Sequence, residues 1–191
     1  MISFAVVGIE HPHAMNMVSG LLAAGARCAG YTTAQPGDTY RQFVATFPQL
    51  DAVDDPQRLI EDPTVDLIVS ADVPALRAEI AVAAMRAGKD VLVAKPGCTT
   101  LDQLAAIRST VAETGRHWVV AFSERVHVRS AVRAGELVRA GAIGTVIQTV
   151  GLGPHRLRPQ SRPDWFFDVG ANGHILTDLA SHHIDQFLYF T

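Results

Sequence analysis

Over the first 122 residues, short apolar runs alternate with stretches of helical spacing. Residues 2–8, 27–32, 65–70, 90–94 and 117–122 read as strands. Several are near-continuous apolar runs rather than strict alternations, as expected of parallel strands buried on both faces. The intervening segments 12–24, 38–47, 75–87 and 101–114 carry helical patterns. Pro12 suits a first helical turn, and Gly88 and Gly115 suit the residue just past a helix end. Strands alternating with helices imply βαβ units, a parallel sheet and right-handed crossovers.

The pattern changes after about residue 123. A helix is predicted at 126–140, stopped by Gly141, then a strand at 144–152. A Pro- and Arg-rich loop follows over 153–170, and a helix over 173–190. The predicted architecture is α/β, a doubly wound parallel sheet over 1–123 followed by the beginning of a second α+β domain over 124–191. The single strand of that second part has no evident partner, and isolated strands are not stable.

Two places carry candidate chemistry. Of sixteen basic residues only Lys89 and Lys95 are lysine, and Lys95 ends the strand Val91-Leu92-Val93-Ala94. Open α/β sheets bind ligands outside the carboxyl ends of their strands. An amine there can be tuned for proton transfer, which a guanidinium cannot; a surface lysine capping the strand is the alternative. In the last helix, Asp178, His182 and Asp185 are spaced to share a face, with Asp178 placed to orient the imidazole of His182. His183 falls about 100° away around the axis. A solvated polar stripe on an amphipathic helix is the alternative there.

Composition narrows the class. With 48% hydrophobic and 18% charged residues the chain can build a core. A net charge of -3 leaves no electrostatic footprint for nucleic acid. No apolar run is long enough to span a bilayer, and the first residues lack the basic segment of a signal peptide. Cys28 and Cys98 have no metal spacing and read as reduced thiols of a cytoplasmic protein. Neither His11 with His13 nor His182 with His183 has a recognised metal site around it, so no metal is expected.

Gly8 lies between the first strand and the first helix, the place of a phosphate-binding turn. The dinucleotide fingerprint would be G-x-G-x-x-G, but the chain reads Gly8-Ile9-Glu10-His11-Pro12-His13. Glu10 fills the second glycine's slot, where a carboxylate would repel phosphates unless it points away. The acid expected at the end of the second strand, to bind ribose hydroxyls, is replaced by Thr33. No arginine stands beside it; Arg41 is the nearest downstream.

Taken together, several segments resemble the Gfo/Idh/MocA oxidoreductases. The stretch Val65–Ser70, Pro74 and Ala87–Pro96 looks like the family's run ending in Glu-Lys-Pro, with Ala94 in place of the glutamate. Phe122–Arg125 and Gly141–Gly144 resemble the start of its second domain. Asn172-Gly173-His174 with Asp178, His182 and Asp185 resembles its glycine turn and D-x-x-x-H-x-x-D helix, and Arg162–Asp168 the loop before it. The resemblance implies a Rossmann-type first domain, NAD or NADP as cofactor, and oxidation of a sugar, cyclitol or related polyol hydroxyl, or the reverse.

It also implies catalytic roles for Lys95, Asp178 and His182. Cofactor contacts would come from Gly8, Ile9, His11, Thr33, Ala71, Lys95 and Pro96. Substrate contacts would come from Arg125, Trp165 and His183, with His155, Arg156 and Asp164 nearby. Thr33 predicts no more than about tenfold preference between NADH and NADPH, about 1.4 kcal/mol. Family members continue into a large, mostly antiparallel sheet that walls the substrate site and forms a dimer interface. This chain is therefore expected to be incomplete as a catalytic unit and to form homo-oligomers. A non-catalytic dinucleotide-binding or sensing module and an inactive remnant are the alternative functions; nucleotide binding and turnover distinguish them.

Overall fold

The computed structural model describes residues 1–153 and 155–191. The first part opens with β1 (Ser3–Ile9), α1 (His13–Ala23), β2 (Arg27–Thr32), α2 (Asp38–Thr46) and a short α3 (Pro56–Ile60). It continues through β3 (Leu67–Ala71), α4 (Arg77–Arg86), β4 (Asp90–Ala94), α5 (Leu101–Thr114) and β5 (Trp118–Ala121). The strands form one sheet in the order β2-β1-β3-β4-β5, and every pairing is parallel. A lone parallel bridge from Tyr31 to Ala52 extends the order beyond β2. The sheet is Rossmann-like, wound in both directions from β1.

Both faces of the sheet are covered, which explains the unbroken apolar strands. On one side Ala14, Met17, Val18 and Phe43 from α1 and α2 pack on Phe4, Val6 and Val69. On the other, Leu59 and Ile60 of α3, Ala81 and Met85 of α4, and Ile107 of α5 pack on Ala5, Ile68 and Val91. Local signals set the helix ends. Thr100 and Gln103 form a capping box at the start of α5, and Gly115 closes it in the left-handed conformation. The unforeseen α3 is capped by Asp55 with Pro56 at its first turn.

The strand order reverses direction between β1 and β3, so crossovers leave a crevice at their carboxyl ends. The β1–β3 register also shifts between Val6 and Ile9, around Gly8. A buried arginine ties the next strand ends together. Arg77, at the start of α4, is fully buried. Its Nε donates to the Asp72 carbonyl at 2.7 Å, and its Nη1 reaches the carbonyls of Ala94, Lys95 and Pro96 at 2.7–2.9 Å. Burial lowers its pKa to about 9. Both lysines are buried too; Lys89 donates to the carbonyls of Asp62 and Val65.

The second part holds α6 (Ser123–Val126), α7 (Arg129–Arg139), α8 (Val169–Asn172), α9 (His174–Asp178) and α10 (Ala180–Phe190). Two expectations need correction. Residues 144–152 are not a strand, because no neighbouring chain offers a ladder; Ile147, Val150 and Leu152 are highly exposed. The single helix predicted over 173–190 is broken into α9 and α10 at Leu179, after a left-handed turn at Gly173 and His174. The loop predicted over 153–170 contains residue 154, which lies outside the described residues. Ile175, Leu176, Ile184 and Leu188 leave much of the apolar face of α9 and α10 exposed. Among the described residues no helix is long and apolar enough to cross a membrane.

Arg77→Leu should strip donors from four carbonyls at the ends of β3 and β4. Unsatisfied buried acceptors cost about 1–3 kcal/mol each, partly offset by removing a buried charge. The expected loss is roughly 2–4 kcal/mol, read as a lowered urea midpoint at unchanged m-value. An unchanged midpoint would mean that the guanidinium does not fasten these strand ends.

Candidate active site

Lys95 emerges from β4 into the space where the second part closes over the sheet. Its Nζ lies 2.5 Å from Oδ1 of Asp178, the last residue of α9. Only 5% of the Lys95 side chain is exposed and 16% of that of Asp178, so water screens the pair poorly. Burial, reinforced by the neighbouring Arg77, holds the Lys95 amine below the ordinary lysine range, against the opposing pull of Asp178.

His182, in the first turns of α10, is buried, with its Nδ1 out of water and without a hydrogen-bond partner among the described residues. Its ring meets Phe122 edge-on at 5.9 Å. Burial pushes its pKa below the usual histidine value, with Glu124 pulling the other way and Lys95 adding to the fall. A neutral imidazole in this position can accept a proton.

The expected pairing of Asp178 with His182 does not form. The break at Leu179 separates the two residues into different helices, and the carboxylate engages the Lys95 cation. Charge-assisted contacts outweigh those to a neutral ring. Asp185 is likewise occupied, accepting from Arg125 Nε at 2.6 Å.

Two histidines from the start of α1 complete the cluster. The rings of His11 and His13 lie 4.1 Å apart, and Trp165 approaches His11 at 6.4 Å. Burial, then repulsion from His13, Arg77 and Lys95, holds His11 well below its ordinary value. Burial, then Lys95 and Arg77, lowers His13 to about 3. Among the described residues, the Nδ1 of His13 and Nε1 of Trp165 are buried without partners. His13, Arg77 and Glu124 are the residues sequence reasoning missed as parts of the site. Only the spacing of His13 from His11 was visible, and it carried no chemistry without the second part to enclose it.

The other expected substrate contacts are dispersed. Arg125 is held by Asp185 and stacks on Tyr189. His155 faces Glu124 at 3.2 Å. His183 packs against Gly151 and Gly153, while Arg156 and Asp164 are exposed. Among the described residues, no three His, Cys, Asp or Glu side chains converge as a metal site.

The crevice between β1 and β3 has room for a nucleoside. A cavity of about 520 Å³ is lined by Gly8, Thr33, Asp54, Leu76 and Ile80, among others. Gly8 has φ +88°, and a Cβ there would fall 2.4 Å from Asp72, so only glycine leaves this approach open. These features fit the adenosine half of a dinucleotide. The adjoining turn is less usual. The amides of Glu10 and His11 both donate to the Ala71 carbonyl, that of His13 to His11 Nδ1, and that of Ile9 to Thr33 Oγ1. Of the expected cofactor contacts, Gly8 and Thr33 line the cavity. Ile9, His11 and Ala71 build the turn, and the Pro96 carbonyl is held by Arg77.

A wound parallel sheet with a glycine-lined cavity at its switch point is the architecture of a Rossmann-type nucleotide-binding fold. Residues 3–122 match the model of the oxidoreductase family with an NAD-binding Rossmann fold, and residues 131–191 match the GFO/IDH/MocA C-terminal domain. The chain belongs to the Gfo/Idh/MocA oxidoreductase family.

It is similar to the uncharacterized oxidoreductase YdgJ of Escherichia coli strain K12, with 33% identity over 74% of this chain and 40% of that protein. It is also similar to levoglucosan dehydrogenase of Pseudarthrobacter phenanthrenivorans, with 30% identity over 73% of this chain and 36% of the relative. A crystal structure of a protein assigned as an oxidoreductase from Erwinia carotovora atroseptica SCRI1043 superposes with a TM-score of 0.95 at 47% identity. It covers all of this chain and 57% of its own. The chain therefore spans roughly half the length of the relatives it matches.

The half-buried His13 makes stability pH-dependent. An unfolded histidine titrates near 6.5, whereas folded His13 titrates at about 3. The unfolded chain therefore binds the proton first. The contribution of His13 is complete above pH 6.5 and is lost as pH falls toward 3. At pH 4.5 the loss should be roughly 2–3 kcal/mol, at about 1.4 kcal/mol per pKa unit. His13→Asn should show a shallower fall in urea midpoint between pH 7 and pH 4.5; parallel curves for variant and parent would exclude this role.

Proposed function

We propose that this protein acts as an NAD(P)-dependent dehydrogenase on a hydroxyl of a sugar, cyclitol or related polyol. The observation that carries this reading is the buried Lys95–Asp178 pair beside His182, at the strand end next to the nucleoside-sized cavity. Membership of the family and the sugar substrate named for levoglucosan dehydrogenase support it.

In this reading Gly8 and Thr33 would hold the adenosine end of the cofactor, which would supply or take a hydride, and Lys95 and Pro96 would border its nicotinamide end. His182, neutral because it is buried, accepts the hydroxyl proton during oxidation and returns it during reduction. Lys95 donates a hydrogen bond to the same substrate oxygen, and Asp178 fixes where its Nζ points. His11, His13 and Trp165 wall the site with rings that carry no charge at neutral pH and exclude water. Holding the reacting carbons in contact contributes the remainder of the acceleration.

Turnover of polyols with NAD or NADP tests the assignment. His182→Asn should lower kcat by about 10²–10⁴-fold, the usual worth of a positioned acid–base group, whereas His183→Asn should leave it close to the parent value. Lys95→Arg keeps the charge but cannot readily release a proton, and should lose about tenfold or more if the amine shares in proton transfer. Parent-like turnover in His182→Asn would refute the reading, and full activity in Lys95→Arg would remove Lys95 from proton transfer.

A further inference from the structure

Asp178 is committed to Lys95, but a second carboxylate reaches the neighbourhood of His182 from α6. The segment around α6 packs on α10. The ring of Phe122 meets His182 edge-on, and two residues later Oε2 of Glu124 accepts from Gln186 Nε2 at 3.4 Å. Gln186 stands one helical turn after His182, so the two side chains leave the same face of α10. The other oxygen of Glu124, Oε1, lies 3.2 Å from Nε2 of His155. These contacts hold the carboxylate on the His182 side of α10, with 30% of the side chain exposed.

The other charges around His182 are spoken for. Lys95 from the end of β4 and Asp178 from α9 form an ion pair and pull the imidazole in opposite directions. Asp185, further along α10, is held by Arg125 of α6. His13, from the start of α1, titrates at about 3 and carries no charge at neutral pH. His155 is the remaining titratable neighbour. Glu124 itself pairs with no lysine or arginine among the described residues. Of the charges acting on His182 it is the strongest, and it favours the protonated ring against the cost of burial. A histidine that takes a proton from a hydroxyl becomes a cation, and in a pocket short of water that cation needs a counter-charge. We propose that Glu124 is a positioning residue for the reaction, supplying the negative charge that stabilises the imidazolium formed when His182 accepts the substrate's proton. The proton goes to the ring nitrogen, and Glu124 stays ionised throughout. This rests on the reading of His182 as the proton acceptor, and it gives to α6 the part that helical spacing assigns to Asp178.

The test is the pH titration of the His182 ring, followed by NMR of protein with labelled histidine and assigned with His182→Asn, alongside kcat for polyol oxidation. Glu124→Gln keeps the shape and an oxygen to accept from Gln186 but removes the charge. The His182 midpoint should then move to lower pH, and kcat should fall by about three- to tenfold, less than the loss from removing the acid–base group itself. Glu124→Asp restores a carboxylate and should bring both the midpoint and kcat back toward the parent values. An unmoved His182 midpoint in Glu124→Gln would overturn the proposal. So would equal effects of the Gln and Asp variants, the signature of a purely structural side chain. A parent protein that turns over no polyol with NAD or NADP would overturn the dehydrogenase reading itself, and the role of Glu124 with it, even where the His182 midpoint still answers to Glu124.

Discussion

A guanidinium without access to water fixes where the chemistry can happen. Arg77 reaches from the start of α4 to carbonyls that follow β3 and β4, so the two strand ends cannot separate. Burying such a charge is costly; those oxygens satisfy Nε and Nη1, while Nη2 has no partner among the described residues. Lys95 is the residue this clasp positions. Its amine inherits a neighbouring positive charge, part of why its proton is held less tightly than that of a free lysine.

The same amine fastens the two parts of the chain to each other. Asp178 lies 83 residues further on and meets Lys95 in a pocket that water barely enters. Where screening is weak, a single ion pair constrains strongly, and breaking one partner leaves the other exposed to the full cost of burial. The pair does two things at once: it docks α9 against the end of β4, and it takes the carboxylate from His182. Burial lowers the pKa of that imidazole, and it does the same for His11 and His13. The site is a cluster of uncharged bases around one committed ion pair.

The nucleotide side shows a comparable substitution of space for sequence. A Rossmann turn ordinarily keeps its second position bare for phosphate and places an acid at the end of β2. Here Thr33 follows β2 instead, and its hydroxyl donates to the carboxylate of Glu10, which fills the turn's second position. Gly8 remains because any side chain there would collide with Asp72.

Periodicity by itself determined the parallel sheet, its strands and most of its helices, because strands buried on both faces must be apolar throughout and the capping residues of α5 announce its ends. The spacing and rarity of Lys95, Asp178 and His182 also marked them before any contact was known. What the sequence could not show was who partners whom. Helical spacing put Asp178 next to His182, but spacing along one helix knows nothing of a lysine on a distant strand, and the stronger charge took the carboxylate. The apolar alternation of 144–152 suggested a strand, but a strand exists only where another chain segment supplies a ladder, and among the described residues none does. Arg77 looked like an ordinary helix residue, His13 like half of an unsupported histidine pair, and Glu10 like damage to the phosphate turn. Only burial and contact across the fold, which decide desolvation and charge proximity, made the first a clasp, the second a neutral ring beside Lys95 and the third the partner of Thr33.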